Sequence, residues 1–167
     1  MRDRIWTELT QAKFNVVFAG LYAERQRMVL RYFNISMLVF SAGGVVGWKI
    51  WDNVPFYACI LIGIISLFRL VSPQLIMSEK QILNLDAISS FYFNYYNLLE
   101  RLWFDNEDES MDRDSIKVTF FKIKESEADI NGIVNDTLRS KPKTLISKAK
   151  VISDNYFKST FNTYDHE

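Results

Sequence analysis

The strongest constraint in this sequence is the uneven distribution of its charges. Between residues 32 and 77 only Lys49, Asp52 and Arg69 carry charge, whereas residues 78–167 contain twelve basic and sixteen acidic residues. The formal net charge is zero, so the composition of the whole chain hides this separation. A chain that gathers its apolar residues in one block and its charges in another is suited to contact two solvents, lipid and water.

The apolar block contains two segments that are each long enough to cross a bilayer. A membrane helix needs about 20 mostly apolar residues to cross roughly 30 Å of hydrocarbon, and residues 32–51 and 54–77 both meet this requirement. Because only two residues connect them, the sequence predicts an antiparallel transmembrane hairpin. Trp48 and Trp51 lie at its turn, where amphipathic rings favour the headgroup boundary. A buried helical hairpin of a soluble protein is the less favoured alternative.

Basic residues flank the outer ends of the two predicted spans. They are Arg25, Arg27, Arg31, Arg69 and Lys80. The connecting turn offers only Lys49. Because lysine and arginine remain on the cytoplasmic side of a membrane, we expect a multi-pass membrane protein with both termini in the cytoplasm.

Small residues recur at helical spacing within both predicted spans. The first span has Gly43 and Gly47, and the second has Cys59, Gly63 and Ser66 along one side. Small residues four positions apart allow helix backbones to approach closely in lipid. Two interpretations remain open: these residues pack the two helices of one hairpin, or one face also joins neighbouring subunits in a homo-oligomer.

Arg69 is the one charge well inside the second predicted span. Its long side chain can extend to the headgroups, and a pore-lining or gating role is the alternative. The spans contain no Asp, Glu or His apart from Asp52 at the turn, which argues against a proton pump. One hairpin has too few helices to enclose a water path, so any pore requires several copies.

The rest of the chain is also predicted to be helical, so the expected fold class is all-α. The predicted parts are an amphipathic lead-in helix over 1–31, the hairpin over 32–77, a long helix over 78–104, an acidic loop over 105–114, and C-terminal helices with a polar tail over 115–167. The long helix is expected to continue the second span after a kink at Pro73.

The apolar pattern of the polar half supports these helices. On the long helix, the apolar stripe alternates steps of three and four residues; it comprises Ile82, Leu85, Ser89, Tyr92, Tyr96, Leu99 and Trp103, widened by Leu98 and Leu102. Residues 116–124 have strand propensity, but their alternation fails at Phe120 and Phe121, so a helix is preferred there.

The residues give no indication of catalysis, a cofactor or a metal site. The chain has one cysteine and one histidine, and it contains no phosphate-binding glycine loop and no serine-hydrolase motif. The acidic loop lacks the glycine and closing glutamate of a calcium loop. Glu100 is interpreted as an ordinary solvated carboxylate. A zero net charge argues against direct binding of nucleic acid.

Three segments together resemble the SLATT family of bacterial two-transmembrane effector domains. They are LYAERQRMVLRYFNISMLVFSAGG, WDNVPFYACILIGIISLFRLVSP and SEKQILNLDAISSFYFNYYNLLERLW. The resemblance implies an antiphage or conflict effector that assembles in the inner membrane on activation and breaches it, which ends growth in abortive infection. An upstream sensor or nucleotide-signalling protein is the implied partner. The family offers no catalytic motif whose residues can be carried across.

Two functional hypotheses follow from these observations. The first is a pore-forming or membrane-disrupting effector that oligomerises on activation. The second is a non-toxic membrane anchor or scaffold that recruits a cytoplasmic partner through the long helix. An enzyme is disfavoured, since no group of residues supports one.

Overall fold

The computed structural model of the chain describes residues 1–46, 60, 62–67, 70, 77–108, 110–138 and 141–161, with side chains except those of residues 40–46. Regular secondary structure in these ranges is entirely helical, which confirms the all-α prediction. Five helices have both ends defined: α1 (Arg2–Val46), α2 (Glu79–Glu107), α3 (Arg113–Glu125), α4 (Glu127–Thr137) and α5 (Lys143–Phe161). Residues 62–67 are also helical.

Helix α1 is one uninterrupted helix of 45 residues. It runs through position 31, where the sequence placed the boundary between a lead-in helix and the first span. Its first half is amphipathic, because the buried side chains recur at steps of three, four and seven residues. Those that recur in this way are Ile5, Leu9, Ala12, Ala19 and Ala23, and Phe18 and Tyr22 are buried beside them.

The chain divides into two compact units. Met1–Ala23 and Leu83–Glu167 form the first unit, and Glu24–Ile82 forms the second. The division falls inside α1 and again inside α2, so each of these helices contributes residues to both units.

Helix α2 begins at a capping box, in which two residues satisfy each other's free backbone donors. The Gln81 backbone N–H donates to the Ser78 hydroxyl at 3.3 Å, and the Ser78 N–H donates to the Gln81 side-chain oxygen at 2.9 Å. Residues 77 and 78 are not helical. The prediction that this helix simply continues the second span is therefore wrong at these positions, because Ser78 and Gln81 start a new helix.

The buried face of α2 matches most of its predicted apolar stripe. Six predicted members and Leu102 are buried, and Ile88 and Tyr95 are buried in addition. Ser89 is half-buried, and Leu98 is 51% exposed. The prediction was wrong for Leu98, since the apolar face is narrower on that side.

The acidic loop is shorter than predicted, because the flanking helices extend into it. Helix α2 runs to Glu107 and α3 starts at Arg113. Asp112 caps α3 with an extended backbone, and its carboxylate accepts from the Ser115 N–H at 3.3 Å. Hydrogen bonds from Ser115, first from its side chain and then from its backbone N–H, hold the pKa of Asp112 below its usual value. Helix α3 also confirms the preference for a helix over a strand at residues 116–124.

The core of the first unit contains side chains from α1, α2, α3, α4 and α5. The most buried apolar members are Ile5, Leu9, Leu85, Ile88, Leu99, Leu102, Phe120 and Ala149, and Ile130 comes from α4. Full burial of one large aliphatic or aromatic side chain contributes about 1.5–3 kcal/mol. The residues that mark the helical periodicity in the sequence are therefore the residues that hold this unit together.

No helix within the described part of the chain is both long enough and apolar enough to cross a bilayer.

Candidate membrane-facing surface and buried polar clusters

The second unit exposes large apolar side chains along α1. They are Met28, Val29, Tyr32, Ile35, Leu38 and Val39, with Tyr32 at 69% and Leu38 at 71% exposure. Among the side chains described in this unit, only Ile82 is buried. Exposed apolar patches of this extent mark an interaction with another protein or a membrane. We call residues 28–39 the apolar segment of α1.

The helical residues of the second predicted span show the same exposure. Ile60, Ile62, Ile64, Leu67 and Leu70 are all exposed, from 44% at Ile60 to 74% at Leu70. Their sequence neighbours are apolar as well. The described parts of both predicted spans therefore present apolar side chains that no other described residue covers.

The structure describes three of the predicted site residues. Gly43 lies within α1, and Gly63 and Ser66 lie in the helical stretch 62–67, where both are exposed. A Cβ atom added at Gly63 would meet no atom within 4 Å. No described residue therefore packs closely against Gly63.

The remaining predicted site residues lie outside the described residues. They are Gly47, Trp48, Trp51, Cys59 and Arg69. The role of the small residues in helix packing, and the interface or gating role of Arg69 and the two tryptophans, stay predictions.

A first, partly buried polar cluster, the Glu8 cluster, connects α1 to α2, α3 and α4. The Glu8 carboxylate accepts from the Tyr95 hydroxyl at 3.0 Å and from the Lys124 ammonium at 2.6 Å. Tyr92 hydrogen-bonds to Glu127 at the edge of the same cluster. Two carboxylates, Glu8 and Glu127, thus interact with the charge of one lysine, Lys124.

Burial and the carboxylates raise the pKa values within the Glu8 cluster. Burial, followed by the charge and hydrogen bond of Glu127, raises the pKa of Tyr92 to about 12. Burial and the Glu8 carboxylate raise the pKa of Tyr95. Burial and the Glu8 charge raise the pKa of Glu127, and the positive charge of Lys124 partly offsets this rise. Both tyrosines therefore remain phenols that donate hydrogen bonds at neutral pH.

A second cluster, the Lys13 cluster, connects α1 to α2 and α5. The Lys13 ammonium lies 3.3 Å from the centroid of the Tyr156 ring and 4.6 Å from that of Tyr96. The hydroxyls of Tyr96 and Tyr156 both donate to the Glu100 carboxylate, and the distance from the Tyr156 oxygen is 3.2 Å. The two hydroxyl oxygens lie 3.1 Å apart. Burial lowers the pKa of Lys13, against the attraction of Glu100. The interpretation of Glu100 as an ordinary solvated carboxylate was wrong, because α5 covers it.

Aromatic rings join the start of α1 to the ends of α2 and α5. Trp6 contacts Trp103, Phe157 and Phe161, with ring centroids 4.9, 5.3 and 5.2 Å apart. Beside them the Arg2 guanidinium pairs with Glu107 at 2.8 Å. Aromatic pairs at such distances stabilise a fold by about 1 kcal/mol each beyond their burial. The first turns of α1 are therefore fixed by rings as well as by charges.

Sequence reasoning missed the charged members of both clusters. Glu8, Lys13, Lys124 and Glu127 occur in polar surroundings and have the appearance of surface residues. The available signal was the number of tyrosines on the buried stripe of α2, since a buried tyrosine hydroxyl usually finds a partner. The sequence indicates that partners are needed, but it does not say which helices supply them.

Comparison with known proteins adds no assignment, since no protein-family model, curated protein or solved structure matches this chain.

Proposed function

We propose that this chain is a membrane effector of a bacterial antiphage or conflict system, which oligomerises on activation and permeabilises the inner membrane. The observation that carries the proposal is the apolar segment of α1, whose large side chains no other part of the described chain covers. Exposure of this kind is unfavourable in water and favourable in lipid. Growth arrest or death of the infected cell is the expected consequence.

The proposed membrane part is the hairpin of residues 32–51 and 54–77, with both termini in the cytoplasm. Tyr32, Ile35, Leu38 and Val39 of α1 and the exposed residues of the stretch 62–67 belong to these two segments. Arg25, Arg27 and Arg31 precede the first of them and support this orientation. SLATT effector domains, which the sequence resembles, have the same order of parts.

Oligomerisation in lipid is the proposed step that breaches the membrane. Lipid tails are as apolar as the spans, so helices associate there through close packing and hydrogen bonds, at roughly 1 kcal/mol per interhelical hydrogen bond. Gly43, Gly47, Gly63 and Ser66 provide surfaces for such packing. Because each contact is weak, a stable pore requires several subunits in a ring.

The first unit is the proposed restraint and receiver of the activating signal. The Glu8 cluster, the Lys13 cluster and the rings around Trp6 fix the start of α1, and α1 continues as one helix into the apolar segment. A sensor or signalling partner that changes these contacts acts on the same helix that enters the membrane. The proposal includes no enzymatic activity and no cofactor.

Inducible expression in bacteria tests the effector proposal. We expect loss of membrane potential and entry of a membrane-impermeant dye, together with arrested growth, when the trigger or its operon partners are present. Unchanged potential and dye exclusion under those conditions would show that the chain is not a permeabilising effector.

Substitution of the small residues tests the proposed mechanism. Gly43→Leu and Gly63→Leu should abolish toxicity while leaving membrane insertion intact, because leucine prevents close helix approach. Gly132→Leu is the matched control, since an added Cβ at Gly132 in α4 also meets nothing within 4 Å. It should remain toxic. Full toxicity of both span variants would remove small-residue packing from the mechanism.

The second candidate function is a membrane anchor that recruits a cytoplasmic partner through α2. The outer face of this helix favours it, since Leu83, Phe93 and Leu98 are more than half exposed. The buried stripe of α2 is not available for a partner, because the first unit already covers it. Under this alternative, Phe93→Ala and Leu98→Ala abolish partner capture from a membrane that stays polarised, whereas an effector depolarises it.

A further inference from the structure

Three arginines at the start of the apolar segment of α1 lie within two turns of the helix. Arg25, Arg27 and Arg31 are all exposed, and Glu24 is the one carboxylate between residues 24 and 39. Since a helix rises about 1.5 Å per residue, the Cα atoms of the three arginines lie within about 9 Å of each other along the helix axis. This stretch is therefore a short band of positive charge at the start of the apolar segment.

The angular positions of the arginines distinguish this band from an ordinary charged face. At 100° per residue, Arg27 and Arg31 lie about 40° apart around the axis, and Arg25 lies about 160° from Arg27 and about 120° from Arg31. A helix packed on a soluble core keeps its charges on the face away from that core. Charges on two well-separated faces suit a helix that passes through a charged layer.

The apolar side chains begin inside the same band. Met28 and Val29 are exposed between the arginines, and Tyr32 follows directly after Arg31. Long arginine side chains can place their aliphatic part on apolar surroundings and their guanidinium group in the headgroup layer. Tyrosine favours the same depth.

We infer that Arg25 and Arg31, together with Arg27, form a collar that binds the phosphate groups of anionic phospholipids where α1 enters the membrane. This inference rests on the proposed membrane function and names the lipid that the helix selects. Guanidinium groups bind phosphate through charge-assisted and often bidentate hydrogen bonds. A zwitterionic lipid carries the same phosphate with a compensating ammonium, so the collar prefers phosphatidylglycerol to phosphatidylcholine.

Spin-label lipid spectroscopy on the full chain reconstituted in phosphatidylcholine vesicles measures this preference. The probe is a trace of spin-labelled phosphatidylglycerol or phosphatidylcholine, and the readout is the fraction of each that the protein immobilises. We expect the association constant for phosphatidylglycerol to exceed that for phosphatidylcholine by roughly fivefold, the effect of one basic residue near an anionic surface. The preference should fall as salt increases.

The double variant Arg25→Gln, Arg31→Gln should bring the ratio of the two association constants towards one. The double variant Arg25→Lys, Arg31→Lys keeps the charges and should keep most of the preference for phosphatidylglycerol. Lys148→Gln with Lys150→Gln is the matched control, because it removes the same charge from exposed positions of α5. The collar would be ruled out, with the membrane function left standing, by either of two results. One is a reconstituted wild-type chain that shows no preference between the lipids, and the other is a control variant of α5 that loses the preference as fully as the arginine variant. A chain that does not reconstitute at all would overturn the proposed membrane function.

Discussion

Lys13 of α1 holds its ammonium group 3.3 Å from the centre of the Tyr156 ring of α5. The contact joins the first helix of the chain to its last described helix, across more than 140 sequence positions. It belongs to a cluster in which Glu100 accepts from two tyrosine hydroxyls. The proposed restraint on α1 depends on contacts of this kind, and they can be measured separately from any membrane activity.

The energy of the Lys13–Tyr156 contact can be isolated with a double-mutant cycle. Lys13→Met and Tyr156→Leu, alone and together, should give a coupling energy of about 1 kcal/mol, the usual strength of a partly desolvated cation–π pair. The measurement is reversible unfolding of the full chain in detergent micelles. Tyr156→Phe is the control, because it keeps the ring and should keep most of the coupling. A coupling near zero would remove this contact from the restraint.

Removal of Lys124 should destabilise the fold at neutral pH by about 1 kcal/mol, because Glu8 then loses its charged partner and faces Glu127 directly. A raised pKa at Glu127 contributes stability that is present below pH 4.5 and is lost as the pH rises through the raised value. Without Lys124 that pKa should rise further.

The stability deficit of Lys124→Met is therefore expected to shrink on acidification from pH 7 towards pH 5. Thermal unfolding across that range tests this expectation. Lys117→Met, which removes an exposed lysine from the same helix, should show neither effect. A deficit that is independent of pH would show that the two carboxylates do not interact.

Alkaline pH should weaken the fold through the tyrosines of α2. The pKa of Tyr92 is raised to about 12, and those of Tyr95 and Tyr96 are raised as well, chiefly by burial. An unfolded tyrosine loses its proton near pH 10, so the stabilising contribution of these phenols is present below pH 10 and is lost as the pH rises through 12.

Phenolate absorbance near 295 nm measures this effect, since the chain has eight tyrosines. We expect at least three to ionise late, at the pH where helical circular dichroism is lost. In the Tyr92→Phe variant, one tyrosine fewer should ionise late. Ionisation of all eight near pH 10 in the folded chain would contradict the buried phenols.

Gly20→Ala should stabilise α1 by roughly 1 kcal/mol, because glycine in a helix interior is less favourable than alanine by about this amount. The added Cβ meets nothing within 4 Å. Gly132→Ala in α4 has the same open surroundings and should gain a similar amount. Thermal unfolding in detergent gives both values. Destabilisation by Gly20→Ala alone would reveal a contact at this position in the assembled protein.

Leu38→Arg should weaken membrane insertion, because a charge inside a span costs free energy, about 3 kcal/mol at the centre and less towards its ends. Flotation of the full chain with vesicles measures insertion. Val151→Arg is the matched control, as Val151 is 56% exposed on α5 and a charge there should be tolerated. Equal flotation of both variants would show that residue 38 does not lie in lipid.

Helical periodicity made the fold class and most of the buried stripe of α2 predictable. Tyr92, Tyr96, Leu99 and Trp103 recur at steps of three and four, and all four are buried. This pattern is local, because neighbours on one helix face are set by the turn of the helix alone. Helix ends were less predictable, since Ser78 and Asp112 act through hydrogen bonds that extend the flanking helices beyond the apolar pattern.

The sequence by itself determined which segments are helical and where the apolar and charged residues separate. Only the tertiary structure decided that Glu8 would meet Lys124, and that Lys13 would meet Tyr156. These partners come from helices more than a hundred positions apart. The periodicity of one helix shows which of its faces must be buried. Which other helix packs on that face depends on how all the faces fit together, and no single segment of the sequence contains that information.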